Sequence, residues 1–121
     1  MTIVANILIA LTALAHIGFL VLEMFLWTKP QGRKVFRMTP EQAETTRVLA
    51  ANQGLYNGFL AAGLVWSLIH PQAGFGFQLK LFFLVCVIVA AIYGALTVKP
   101  RILLVQGGPA IAALVFLFLA P

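Results

Sequence analysis

Residues 77–98 read FQLKLFFLVCVIVAAIYGALTV, a run whose one charge is Lys80. A membrane-crossing helix needs about 20 predominantly apolar residues. In hydrocarbon it must also satisfy its own backbone N–H and C=O groups, which a helix does. The run therefore predicts a transmembrane helix, and the chain on either side repeats the pattern. Upstream, Gln72 to Gly76 is a short loop with two glycines, and His70-Pro71 stops an earlier helix. Downstream, Lys99-Pro100-Arg101 is a tight basic turn.

That earlier helix is expected over about 40–69. Thr39 is placed to cap it, Pro40 suits its first turn, and Glu41 lies near the positive end of its dipole. Its first turns, Glu41 to Arg47, are too polar for hydrocarbon, so the helix is expected to enter the membrane at about Leu49. A first helix is expected over about 2–27, ended by Lys29-Pro30-Gln31-Gly32 and followed by a basic connection from Gly32 to Thr39. A last helix is expected over about 102–119, kinked at Gly107-Gly108-Pro109 because proline removes a helical hydrogen bond.

Composition supports the same reading. Of 121 residues, 62% are hydrophobic and 9% charged, against roughly 25% charged in a soluble domain. The fold class is thus all-α, a four-transmembrane-helix bundle forming a single integral membrane domain over 1–121, with the lipid bilayer as its surroundings. The N-terminal apolar stretch lacks a basic leader and outruns a signal sequence's core of about 7–15 residues, so it reads as a retained helix. The net charge of +5 shows no interleaving of basic and aromatic residues, which speaks against nucleic acid.

Basic residues near helix ends set orientation. Lys29, Arg33, Lys34, Arg37, Arg47, Lys99 and Arg101 fall on one side, and Lys80 alone on the other. Both termini are expected outside the cytoplasm.

Polar groups at membrane depth are costly and invite explanation. The first helix places Thr12, His16, Glu23 and Trp27 close to one face. His16 and Glu23 lie about 10.5 Å apart along the axis, too far to bond directly. Glu23 could pair with Arg47 or Arg101, or contact a ligand or a proton. His16 could form an interhelical hydrogen bond or serve a ligand. The second helix carries Asn52, Gln53, Tyr56 and Asn57, beside a Gly54/Gly58 pair extended by Ala61, Ala62 and Gly63. Such small-residue rows let helices approach closely. The amides are either glue in that seam or the lining of a site. Cys86 in its apolar run reads as an inert small hydrophobe, and Tyr93 sits where interfacial anchoring is common. Two histidines 54 positions apart and no aspartate leave no metal set.

Two resemblances add to this. The run from Leu49 to Ala61, with Leu22-Glu23-Met24-Phe25-Leu26-Trp27 and Gly32-Arg33-Lys34-Val35-Phe36, is similar to a family of small bacterial membrane proteins catalogued as domain of unknown function 1304. That implies a multi-pass protein of the bacterial inner membrane and no assigned activity. The architecture also resembles the MAPEG superfamily, the membrane-associated proteins of eicosanoid and glutathione metabolism. Those are four-helix proteins, typically homotrimers, with a basic first connection like Arg33 to Pro40. The resemblance implies glutathione binding involving Arg47, a helix 2 asparagine one position from Asn52, and Tyr93. It makes Arg101 the catalytic residue supporting a thiolate. Gln106 to Pro109 is similar to a glutamine-proline stretch early in that family's last helix. The family's helix 2 glutamate falls near Gly54 here, and Glu23 could supply a carboxylate instead.

Three functions follow as alternatives. The first is a MAPEG-like protein binding a small amphipathic or anionic molecule at the cytoplasmic end through Arg33, Arg47 and Arg101, with Asn52, Gln53, Tyr56, Asn57, Tyr93, Glu23 and His16 as further ligand contacts. The second is an oligomeric carrier with Glu23 as coupling group. The third is a structural membrane protein without ligand. The glycine row favours a homo-oligomer, a trimer by the MAPEG resemblance.

Overall fold

The structure, a computed structural model, describes residues 2–120. Among them there are five α-helices, one π-helical turn and no strand. The helices are α1 (Thr2–Met24), α2 (Pro30–Phe36), α3 (Pro40–Ile69), α4 (Ala73–Thr97) and α5 (Gly108–Leu119). The π turn, Leu103–Gly107, leads directly into α5. Two helices, α1 and α4, are long and apolar enough to cross a membrane. Helix α3 is longer, at 30 residues, but starts with the polar stretch Glu41 to Arg47. The apolar segment Leu103–Leu119 is shorter.

Local signals explain most boundaries. At the start of α3, Thr39 Oγ1 accepts from the Gln42 amide at 3.1 Å, and Gln42 Oε1 accepts from the Thr39 amide at 3.0 Å. This reciprocal pair satisfies two backbone donors that the helix itself leaves open. Pro30 corrects an expectation: it opens α2 instead of ending α1. Proline is at home at the first helical position, where its missing N–H costs nothing. Helix α1 stops earlier than expected, at Met24, in turns where both Phe25 and Leu26 donate to the Val21 carbonyl. The basic connection is thus largely helical, over Pro30–Phe36. Helix α4 begins four residues before the expected Phe77, at Ala73. The kink expected at Gly107-Gly108-Pro109 takes the form of the π turn. Pro109 cannot donate to Val105 and its ring crowds that carbonyl, and a wider turn just upstream absorbs both effects.

The chain forms two compact units. One comprises the residues up to Ala15 together with Leu60 onward. Its core is drawn from α1 (Ala5, Ile9, Ala13), α3 (Leu64), α4 (Leu84, Val87) and α5 (Ala110, Ala113, Leu117). Four of these nine are alanines, so the helix axes come close. A Cβ on Gly63 would overlap the Phe83 ring, and one on Gly107 would stand 3.1 Å from the Ala91 Cβ.

The other unit is His16–Phe59: the end of α1, all of α2 and the first two thirds of α3. Here Gly54 and Gly58 pack on α1. A Cβ on Gly54 would lie 2.7 Å from Met24 Cγ and 3.0 Å from Glu23 Cβ, and one on Gly58 would lie 2.6 Å from Leu20 Cδ1. Trp27 ties the connection down. Its ring lies 4.8 Å from that of Phe36, and its Nε1 donates to Thr46 Oγ1 at 2.9 Å.

Candidate functional site

In the unit His16–Phe59, the glycine row lets α3 approach α1 closely enough to enclose polar side chains. Glu23 is 8% exposed and His16 2%. Asn57, one turn after Gly54 on α3, donates from Nδ2 to Glu23 Oε1 at 2.5 Å. The partner of this carboxylate is therefore a neutral amide. The ion pair suggested by sequence takes another form: Arg47 Nε reaches Glu44 Oε1 at 3.2 Å, one turn back on its own helix. An i,i+3 pair is within easy reach on a helix surface, so Arg47 finds its carboxylate locally. His16 packs edge-on against Phe19, ring centroids 5.3 Å apart.

The other residues named from sequence lie differently. Asn52, Gln53 and Tyr56 are exposed on α3, with Tyr56 beside Phe59 at 6.0 Å between rings. Tyr56 and Asn52 are turned from Asn57 by roughly 100° and 140°, and Gln53, though on the same row one turn earlier, is itself exposed. Arg33 is partly buried in α2, its Nε donating to the Thr28 carbonyl at 3.2 Å. In the unit that includes the chain from Leu60 onward, Tyr93 and Arg101 are exposed. The Tyr93 carbonyl accepts from Thr97 Oγ1 at 2.7 Å. No group of three or more potential metal ligands occurs among the described residues.

Chemically, the enclosed pair can do two things. A carboxylate has two oxygens, and Asn57 occupies one. The other can accept from an incoming ammonium or hydroxyl, or the group can take up a proton. Sequence reasoning singled out Glu23 and Asn57 separately but missed their pairing. The available signal was that Gly54 and Gly58 flank Asn57 on nearly the same face.

Comparisons with known proteins agree on one family. The family model described as Protein of unknown function (DUF1304) matches residues 10–118. The Uncharacterized protein YpaA of Lactococcus lactis subsp. lactis (strain IL1403) is 38% identical over 122 residues, covering 98% of this chain and 99% of its own. No solved structure matches.

Proposed function

The chain belongs to the family Protein of unknown function (DUF1304), and we propose that it is a multi-pass membrane protein that binds a small amphipathic molecule through Glu23. In this reading α1, α3, α4 and the segment Leu103–Leu119 each cross the bilayer. The basic connection holding Arg33, Lys34 and Arg37 stays on the cytoplasmic side of the bacterial inner membrane, and both termini lie outside it. The observation that carries the reading is the enclosed carboxylate of Glu23, on a helix apolar enough to span, with an amide as its partner. An ionisable group at such a place is expensive and marks a path for substrate, ion or proton. The ligand head group is then a hydrogen-bond donor, an ammonium above all. Asn52 and Gln53 support self-association: amides left facing lipid are costly, and further copies of the chain, two in the trimer that the MAPEG resemblance implies, cover them.

The test is calorimetric titration of the purified protein in uncharged detergent with dodecylammonium. Glu23→Gln weakens binding at least tenfold. Equal affinity in both proteins removes the reading. In proteoliposomes, proton-coupled uptake of the same cation that Glu23→Gln abolishes makes the protein a carrier, and binding without flux makes it a receptor or buffer for such molecules.

A second reading is favoured by the partly buried Arg33 in a helical, basic α2. Here an anionic molecule such as glutathione docks against α2 at the cytoplasmic end, held by a guanidinium that keeps its charge at any physiological pH. Calorimetry with glutathione and a thiol-conjugation assay decide it. No heat at millimolar glutathione removes this version.

A further inference from the structure

The unit formed by the chain up to Ala15 and from Leu60 onward contains a cavity of about 440 Å³. It lies among the first turn of α1, the end of α3, the start of α4 and the end of α5. Its volume falls within the range of small-molecule pockets, roughly 300–1,000 Å³. Lys80 supplies its charge, Thr2, Ser67 and His70 its other polar side chains, and Leu68, Phe77 and Leu117 its apolar wall.

Two observations give this cavity a sign. Lys80 is half-buried, and its Nζ donates to Asn6 Oδ1 at 3.0 Å, a bond between residues 74 positions apart that draws the ammonium inward across two helices. An ammonium has three donors, and a neutral amide answers one without neutralising the charge. Among the described residues the ion pair that forms is Arg47 with Glu44, and the three carboxylate side chains of the sequence all fall within residues 16–59. Lys80 is therefore a cation in an apolar setting with no described counter-charge. His70 lines the cavity as well. Its Nδ1 accepts from the Gln72 amide at 3.1 Å and lies 3.3 Å from the Gln72 carbonyl. Rings on both sides steady it, Trp66 at 6.3 Å and Phe75 at 5.7 Å.

We infer that this cavity binds the anionic head, phosphate or carboxylate, of an amphiphile, with Lys80 as its counter-ion and the Phe77–Leu117 wall along its apolar part. This site is separate from Glu23 and of opposite sign, so either can fail without the other. The same head-group chemistry is offered by a membrane lipid and by a free oxyanion, and the two are told apart by the need for an apolar chain.

The experiment is calorimetry on the full chain in uncharged detergent with three probes: dodecyl phosphate, dodecanol and inorganic phosphate. Saturable binding of dodecyl phosphate is expected, with dodecanol at least tenfold weaker. Lys80→Met lowers dodecyl phosphate affinity at least tenfold, Lys80→Arg retains it, and Lys99→Met, which removes an exposed lysine of the distant basic turn, leaves it unchanged. If Lys80→Met does not fold, Lys80→Gln keeps a donor for Asn6 and removes only the charge. Inorganic phosphate binding as tightly as dodecyl phosphate upholds the anion site and assigns it to a free oxyanion. Dodecyl phosphate binding that is absent, or indifferent to the charge at Lys80, overturns the proposal.

Discussion

Asn57 and Glu23, 34 residues apart in sequence, are joined by a hydrogen bond from the amide Nδ2 to the carboxylate Oε1. The bond ties α3 to α1 where the glycine row brings them together, so it belongs to packing and to chemistry at once. Removing one partner alone should hurt more than removing both, since the lone survivor stays enclosed without a partner. Asn57→Leu is expected to cost about 1–3 kcal/mol in detergent unfolding. The double variant Glu23→Leu/Asn57→Leu should lose less than Asn57→Leu alone. A double variant that is the weaker of the two would show that the pair does not act as a unit.

Gly32 should tolerate no side chain. A Cβ there would run into the Leu26 carbonyl and come within 2.9 Å of Trp27 Cα. These are backbone atoms and cannot swing aside. Gly32→Ala is expected to destabilise by about 1–3 kcal/mol and to speed proteolysis between α1 and α2. Gly18, with open space around its Cβ position, is the control. Gly18→Ala should be neutral or gain up to about 1 kcal/mol from helix propensity. Equal effects at the two positions would contradict the packing described.

The loop before α3 carries two opposed local terms. Thr39→Ala removes the cap and should cost about 1 kcal/mol, with faster amide exchange at Gln42. Arg37 has φ 53° and closes α2 in the left-handed conformation, with the Met38 amide donating to the Arg33 carbonyl at 2.9 Å. Glycine adopts that conformation without a Cβ penalty. Arg37→Gly should therefore stabilise by up to about 1 kcal/mol, read as a shift in the unfolding midpoint.

The proposed topology makes a labelling prediction. In a Cys86→Ala background, Gln72→Cys should react with a membrane-impermeant maleimide added to intact spheroplasts. Lys34→Cys should react only after lysis. The reverse pattern would invert the orientation, and labelling of both without lysis would argue against the bilayer placement altogether.

Much of the helical pattern was readable because its causes are local. Thr39-Pro40-Glu41 is a start signal written in consecutive residues, and His70-Pro71 is a stop written the same way. Pro30 was harder, since the same ring that breaks a helix interior begins a helix when it stands first, and only the geometry after Met24 decides between them. The site was half readable. Periodicity put His16 and Glu23 on one face and Asn57 next to the glycines, but a face does not name its partner. Whether Glu23 would meet Asn57, Arg47 or Arg101 depends on how α1 and α3 are rotated, and that is set by the contacts of Leu20 and Met24 with Gly58 and Gly54. Asn52 and Tyr56 differ from Asn57 in phase, whereas Gln53 shares its row one turn earlier, and only the packing of α1 on α3 separates the two. Lys80 looked like a solitary charge because Asn6 lies at the far end of the sequence.

The π turn at Leu103–Gly107 has an implication for how the segment tolerates change in length. A single turn there holds a spare residue relative to ordinary helix. Excising Leu104 would let the coil tighten into ordinary helix while the segments on both sides keep their bearings, Ala110, Ala113 and Leu117 in the core and Arg101 at the upstream end. The turn works as a slack link: one residue can be lost there without repacking the protein.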